Sequence, residues 1–282
     1  MTYRSLLVHL DSQPQAEARV AQALALTRAL DCHLVGLAPT GLLDMPIAPE
    51  AAASLGEFSA LAAELLLQQA QQAALQFRTA CAGAGLPSFE ALTDTADVAR
   101  SLVRHAHCSD LVLLSQPDPA SPGHGRARAM VEQVILYSAR PTLLLPYTAK
   151  VGDAPLPGGR ALVAWDDSRE AARALADALP LLRRAEQVQV LSWRESENTL
   201  DDMRPRLDAL QQWLAWQGVT AETREEVSSI GVAESLLSRA ADYGADLIVM
   251  GAYGHTRWTE RVLGGATRGL LQSMTVPVLM SH

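Results

Sequence analysis

Ala245-Asp-Leu-Ile-Val-Met-Gly251 and Ser109-Asp-Leu-Val-Leu-Leu-Ser115 decide the fold of this chain, because they are the same sentence written twice. Each is a short apolar run led by an Asp and closed by a small residue. Each is followed, at the same distance, by a second matching pair: Val276-Pro-Val-Leu-Met-Ser-His282 after the one, Arg140-Pro-Thr-Leu-Leu-Leu-Pro146 after the other. Residues 110–141 therefore align with 246–277 without a gap. Working outward, the front ends match too. Ser5-Leu-Leu-Val-His-Leu-Asp11 lies over Arg160-Ala-Leu-Val-Ala-Trp-Asp166, and both lead into Ala-rich amphipathic stretches, 16–30 and 168–183. Matches in the same order at both ends mark an internal duplication.

The two halves differ mainly in the middle. The first is longer, with a Pro-, Gly- and Ala-rich insertion over 40–60 running into a helix over about 60–82. The junction is Lys150-Val-Gly-Asp-Ala-Pro-Leu-Pro-Gly-Gly159, whose Pro and Gly mark a linker. The expected units are 1–149, a linker over 150–159, and 160–282. In the second unit, strands are expected at 161–165, 187–192, 220–227, 246–250 and 276–280. Helices are expected at 168–183, 201–217, 232–243 and 265–274. The first, fourth and fifth strands are almost wholly apolar, as parallel strands covered on both faces must be. Strand–helix alternation of this kind implies an α/β protein made of two tandem, doubly wound, five-stranded parallel-sheet domains of Rossmann-like type.

Bulk properties exclude several classes. Of the 282 residues 49% are hydrophobic and 19% charged, which suits a packed core and argues against disorder. The net charge of −8 and the absence of any Lys/Arg block argue against nucleic-acid or anionic-membrane partners, which need a concentrated basic face. No stretch approaches the roughly 18 apolar residues of a membrane span, and Asp11 cuts short the N-terminal apolar run, so no signal peptide is expected. Cys32, Cys81 and Cys108 are odd in number and lack CxxC spacing. They read as reduced thiols in a cytoplasmic protein.

The chemistry-bearing segment follows the fourth strand of the second unit: Gly251-Ala-Tyr-Gly254-His-Thr-Arg-Trp-Thr-Glu-Arg-Val-Leu-Gly264-Gly265-Ala266-Thr267. In open parallel sheets ligands sit beyond the carboxyl ends of the strands, where strand order reverses. Gly251 and Gly254 allow close backbone approach. Gly264 and Gly265 sit where the last helix begins, and its free N–H groups and dipole favour phosphate. Thr267 adds a hydroxyl, and Arg257, Arg261 and Arg268 add charge near the loop. Glycines after a strand also serve simply as turns and caps, so spacing alone decides little; the strand-to-helix context carries the reading.

The pattern Gly-x2-Gly-x9-Gly between a strand and the last helix resembles the nucleotide-binding motif of the universal stress protein family, and the closing Val-Pro-Val-Leu strand agrees. The resemblance covers both halves, so the chain looks like a tandem member. It implies a stress-response protein that binds an adenine nucleotide (ATP, with Mg2+) in its second half, without catalysis beyond very weak ATP hydrolysis. By the same resemblance Asp166 contacts adenosine, and the backbone over 190–192, centred on Leu191, brackets adenine. Gly251, Gly254, Gly264, Gly265, Ala266 and Thr267 match the ribose and phosphate contacts. Gly265 departs from the pattern, which places Ser or Thr there, so one hydroxyl contact is lost. Family members commonly dimerise through their last strands. The fused halves are therefore expected to pair as an intramolecular pseudo-dimer through 142–146 and 276–281, with further homodimerisation left open alongside protein partners of unknown identity.

The first half departs further. Ser115, Asp118, Arg128 and Ala129 replace the motif glycines, Pro117 and Pro119 remove N–H donors, and Asp118 puts a carboxylate where phosphate would sit. This half reads as a degenerate site with a mainly structural role, open to a different small ligand. Arg104-His-Ala-His-Cys108 offers metal-ligand side chains, but His105 and His107 diverge if helical. His9 reads as a buried strand residue, and Trp213 and Trp216 as helix packing. No nucleophile–base–orienter set and no Walker lysine is present. An adenine-nucleotide α-hydrolase would need a Ser-Gly-Gly-x-Asp-Ser loop after the first strand, and Asp166-Asp-Ser168 lacks its glycines. The competing reading is a protein-interaction module that binds no nucleotide.

Overall fold

The computed structural model describes residues 2–41, 52–152, 158–194, 203–227, 231–254 and 265–282, with backbone alone at 52–59 and 194. The first half runs β1 (Ser5–His9), α1 (Ala16–Leu30), β2 (His33–Pro39), α2 (Ala52–Gly83), β3 (Phe89–Asp94), α3 (Val98–Ala106), β4 (Leu111–Ser115), α4 (His124–Tyr137) and β5 (Thr142–Leu145). The second runs β6 (Arg160–Ala164), α5 (Arg169–Leu182), β7 (Gln187–Arg194), α6 (Arg204–Trp216), β8 (Ala221–Val227), α7 (Val232–Tyr243), β9 (Leu247–Gly251), α8 (Gly265–Ser273) and β10 (Val278–Ser281). Most boundaries fall within two or three residues of those expected. The exception is α2, which starts at Ala52 rather than near residue 60.

The strands form one ten-stranded sheet in the order β3-β2-β1-β4-β5-β10-β9-β6-β7-β8. Within each half all pairings are parallel, and the order reverses after the first strand, as in a doubly wound fold. The halves meet where expected: β5 and β10 pair antiparallel, with Leu143 opposite Leu279. The two five-stranded units are thus fused edge to edge, and each covers the other's open edge, which would otherwise be a template for aggregation.

Why the central strands are apolar throughout is visible in their neighbours. Leu6 and Val8 of β1 and Leu111 and Leu113 of β4 pack on one face, with α1, α2, α5 and α6. Leu7, Val112 and Leu114 pack on the other, with α3, α4, α7 and α8. Successive side chains point to opposite faces, so both sets must be apolar when helices cover both.

The leading Asp of each repeated run has a defined task. The Asp246 carboxylate accepts hydrogen bonds from the backbone N–H groups of Gly158 (2.8 Å), Gly159 (3.0 Å) and Arg160 (3.1 Å), fixing the chain as it enters β6. Asp110 does the same for Arg4 (2.7 Å) and Ser5 (3.0 Å) at β1. Across the seam, Gln116 donates to the Leu271 carbonyl (2.9 Å) and Tyr3 to that of Asp177 (2.5 Å). Among the described residues no helix is long and apolar enough to cross a membrane.

Candidate functional site

In the second half the strand order reverses between β6 and β9, so the crevice lies past Ala164 and Gly251. Asp166 stands at its mouth, exposed. Its Oδ1 accepts from the Ser168 N–H (3.0 Å) and hydroxyl (2.5 Å), while the Ser168 hydroxyl oxygen caps α5 by accepting from the Ala171 N–H (3.1 Å). Asp167 adopts a left-handed conformation (φ 59°) and pairs with Arg206 at 2.6 Å. The loop after β6 is thereby locked, with the Asp166 carboxylate held at the crevice.

Gly251 ends β9 directly against this loop. A Cβ there would lie 2.5 Å from the Ala171 nitrogen and 2.6 Å from the Glu170 carbonyl carbon, distances that real Cβ atoms do not reach. The approach of α5 alone therefore demands glycine. Gly254 faces Glu170 as well: its Cβ would stand 3.1 Å from Glu170 Oε2. Between them Tyr253 takes positive φ (55°), and its N–H donates to the Thr267 hydroxyl oxygen at 3.2 Å. Thr267 is buried (3% exposed), so its side chain ties the loop to α8. Gly265 and Ala266 open α8, with Gly265 exposed. Leu191 is fully buried within β7, and its carbonyl accepts the Trp165 N–H at 2.8 Å. Its strand continues to Arg194, so the strand end lies beyond the expected 190–192. Gly264, His255, Arg257 and Arg261 lie outside the described residues.

Sequence reasoning missed Glu170. A Glu in the first turn of a helix is ordinary dipole complementation, and nothing in its spacing marks it. The structure places it under the glycine loop, 5% exposed. Burial pushes its carboxyl up, but its own backbone N–H and the Arg169 guanidinium (2.7 and 3.0 Å from Oε1) outweigh this and hold it below the usual range. A buried carboxylate thus faces the backbone of Gly254.

At the equivalent crevice of the first half, between β1 and β4, the arrangement differs. Arg19, where the second half has Ala174, lies 2% exposed in the crevice. It donates to the His9 carbonyl (2.8 Å) and the Ser115 hydroxyl (2.8 Å) and pairs with Asp11 at 2.8 Å. Burial pushes His9 down to about 4, which leaves it neutral near pH 7. Asp118 accepts the Ala120 N–H at 2.8 Å. A cavity of about 660 Å³ opens here, beside His9, Asp11, Arg19, Thr40 and Ser115.

Other candidates separate in space. His105 pairs with Asp94 (3.3 Å), and His107 lies 3.4 Å from the Tyr137 carbonyl oxygen. Among the described residues no group of three or more His, Cys, Asp or Glu is arranged to hold a metal. His9 is buried, as expected. Trp213 packs against the core, but Trp216 is 74% exposed, so helix packing accounts for only one of the pair.

Residues 159–282 match the model of the universal stress protein family. Over the whole chain, a universal stress protein from Archaeoglobus fulgidus superposes with a TM-score of 0.71 at 14% identity, covering 98% of this chain and 97% of that one. A functionally unknown protein from Pseudomonas aeruginosa superposes with a TM-score of 0.60 at 16% identity, covering 99% of this chain and 92% of that one. These likenesses extend the fold to the first half. No curated protein matches the sequence.

Proposed function

We propose, from the premise that residues 159–282 belong to the universal stress protein family, that the second half binds an adenine nucleotide and that the protein serves the stress response as a binding protein rather than an enzyme. The observation that carries this is the juxtaposition, at the switch point of β6 and β9, of the fixed Asp166 carboxylate, the Gly251–Gly254 backbone and the opening of α8. In this reading Asp166 accepts from the ribose hydroxyls and the Gly265 and Ala266 N–H groups meet phosphate. The last strand residues of β7 flank adenine. Mg2+ accompanies the phosphates and offsets their repulsion by Glu170. Among the described residues no side chain stands as an activated nucleophile or base, and slow or absent turnover is expected.

The test is direct. Protein purified without added nucleotide is denatured, the released small molecules are chromatographed, and the stripped protein is titrated with MgATP by calorimetry. Released adenine nucleotide, or saturable heat that Asp166→Ala weakens by about tenfold (one charged hydrogen-bond acceptor), supports the reading. No released nucleotide and no heat at millimolar MgATP would sink it.

A second reading has its own observation. Gly251 is required by the packing of α5, and a buried carboxylate lies against Gly254, both of which a purely structural loop explains. Under it the second half is an interaction module, and Asp166→Ala leaves stress tolerance intact in a strain that lacks the native gene.

A further inference from the structure

We propose that the first half carries a ligand site of its own, for an uncharged amphipathic molecule with a hydrogen-bonding head and an aliphatic chain. It stands apart from the nucleotide reading of the second half and does not depend on it.

The head site is the cavity of about 660 Å³ between β1 and β4. Its floor is polar and its charge there is paired, while Asp97, Asp118 and Arg126 carry charge of both signs around it. The buried Arg19 guanidinium is met by Asp11 at 2.8 Å, and burial keeps His9 neutral. Thr40 lines the cavity, is 5% exposed, and its hydroxyl has no hydrogen-bond partner among the described residues. A buried hydroxyl left unmatched is costly, and a ligand hydroxyl or amide would match it. Phosphate is disfavoured here. Pro117 and Pro119 withhold N–H donors, Arg19 is already engaged by Asp11, and of the other charged residues lining the cavity the carboxylates of Asp97 and Asp118 outnumber Arg126.

The chain site is a groove of about 950 Å³ between α1 and α2, with Val20, Leu24, Leu65 and Phe77 as its apolar wall and Glu17, Gln68, Gln72 and Gln76 among its polar lining. Leu65 stands 51% exposed along it. Leu10, Gln69 and Ala73 line both the cavity and the groove, so the polar floor runs into the apolar channel without a break. The groove's α2 wall spans residues 65–80 of a 32-residue helix; α6, between the second and third strands of the other half, has 13. A polar floor continuous with an apolar channel selects a molecule of the same polarity pattern.

The experiment titrates the full-length protein with 1-decanoylglycerol below its aggregation threshold, by calorimetry, with decanoate and glycerol as comparisons. Saturable 1:1 binding of decanoylglycerol is expected, with decanoate about tenfold weaker because its carboxylate must be desolvated beside Asp11 and Asp118. Ala73→Trp, which fills the junction of cavity and groove, is expected to abolish binding. Thr40→Val, nearly isosteric, is expected to weaken it by about tenfold for one lost hydrogen bond. Both variants are checked for an unchanged fold by circular dichroism. If Ala73→Trp does not fold, Thr40→Val carries the comparison. Absence of saturable binding, or wild-type affinity in the folded variants, overturns the site. Decanoate binding as tightly as decanoylglycerol overturns the uncharged head.

Discussion

At the scale of single residues, His9 sets a pH dependence whose sign is fixed by burial. Its pKa falls from the ordinary 6.5 to about 4 because the folded protein withholds water from the imidazolium, and the neighbouring Asp11 only partly compensates. The unfolded chain therefore binds the proton first as pH drops. The stability this residue contributes is fully present above about pH 6.5 and is lost progressively between that value and about 4, with a ceiling of about 3 kcal/mol. Urea unfolding at pH 7.5 and pH 5 should show the loss, and His9→Gln should flatten it; an equal slope in the variant refutes the assignment. Gly251 gives a second prediction. Its missing Cβ leaves room for the first turn of α5, so Gly251→Ala should destabilise by about 1–3 kcal/mol through overpacking, read from the same urea midpoints. The repeat makes this instructive, since Ser115 occupies the matching position of the first half and uses its hydroxyl to hold Arg19.

At the scale of elements, the Asp that opens each repeated run binds the start of the first strand of its half. Asp246 holds three backbone N–H groups and Asp110 two. The Ser5 hydroxyl is a third donor to Asp110 (3.2 Å), so at about 1 kcal/mol for each such partly exposed bond Asp246→Ala and Asp110→Ala should each cost about 3 kcal/mol. Chemical denaturation should show losses of similar size in the two variants; no loss in either would refute the role. This role was written in the sequence as a repeated Asp before an apolar run, though only the structure says what it caps. Strands and helices were legible for the same kind of reason. Leu6, Leu7, Val8 and Leu111 to Leu114 can be apolar without interruption only if helices cover both faces. The candidate site was legible only in part. Gly251, Gly254 and Asp166 could be picked out because glycine spacing and a strand-ending Asp are local patterns. Glu170 and Arg19 could not, because a first-turn Glu and a mid-helix Arg look solvated until tertiary packing buries them. The full length of α2 was obscured by a lack of caps: an Ala-rich stretch gives no stop signal.

At the scale of the whole molecule, the seam between β5 and β10 makes two repeats into one body. Its register places Val278, Leu279 and Met280 against Leu144, Leu143 and Thr142, all of them buried, and Gln116 and Tyr3 add hydrogen bonds to Leu271 and Asp177 across it. A half on its own would expose the unpaired backbone of a short apolar edge strand, together with the side chains that now face the other half. The same seam links the crevices of both halves: the Tyr253 hydroxyl is pushed up first by burial and then by Glu132, which belongs to α4 of the first half. The halves should consequently unfold together. Calorimetry of the full chain should show one transition whose van't Hoff and calorimetric enthalpies agree, and the fragments 1–150 and 158–282, expressed separately, should associate one-to-one on mixing. Two resolved transitions, or fragments that stay monomeric and folded when mixed, would mean that the sheet is continuous in geometry but not in energy. The ligand sites of the two halves would then have to be treated as belonging to independent domains.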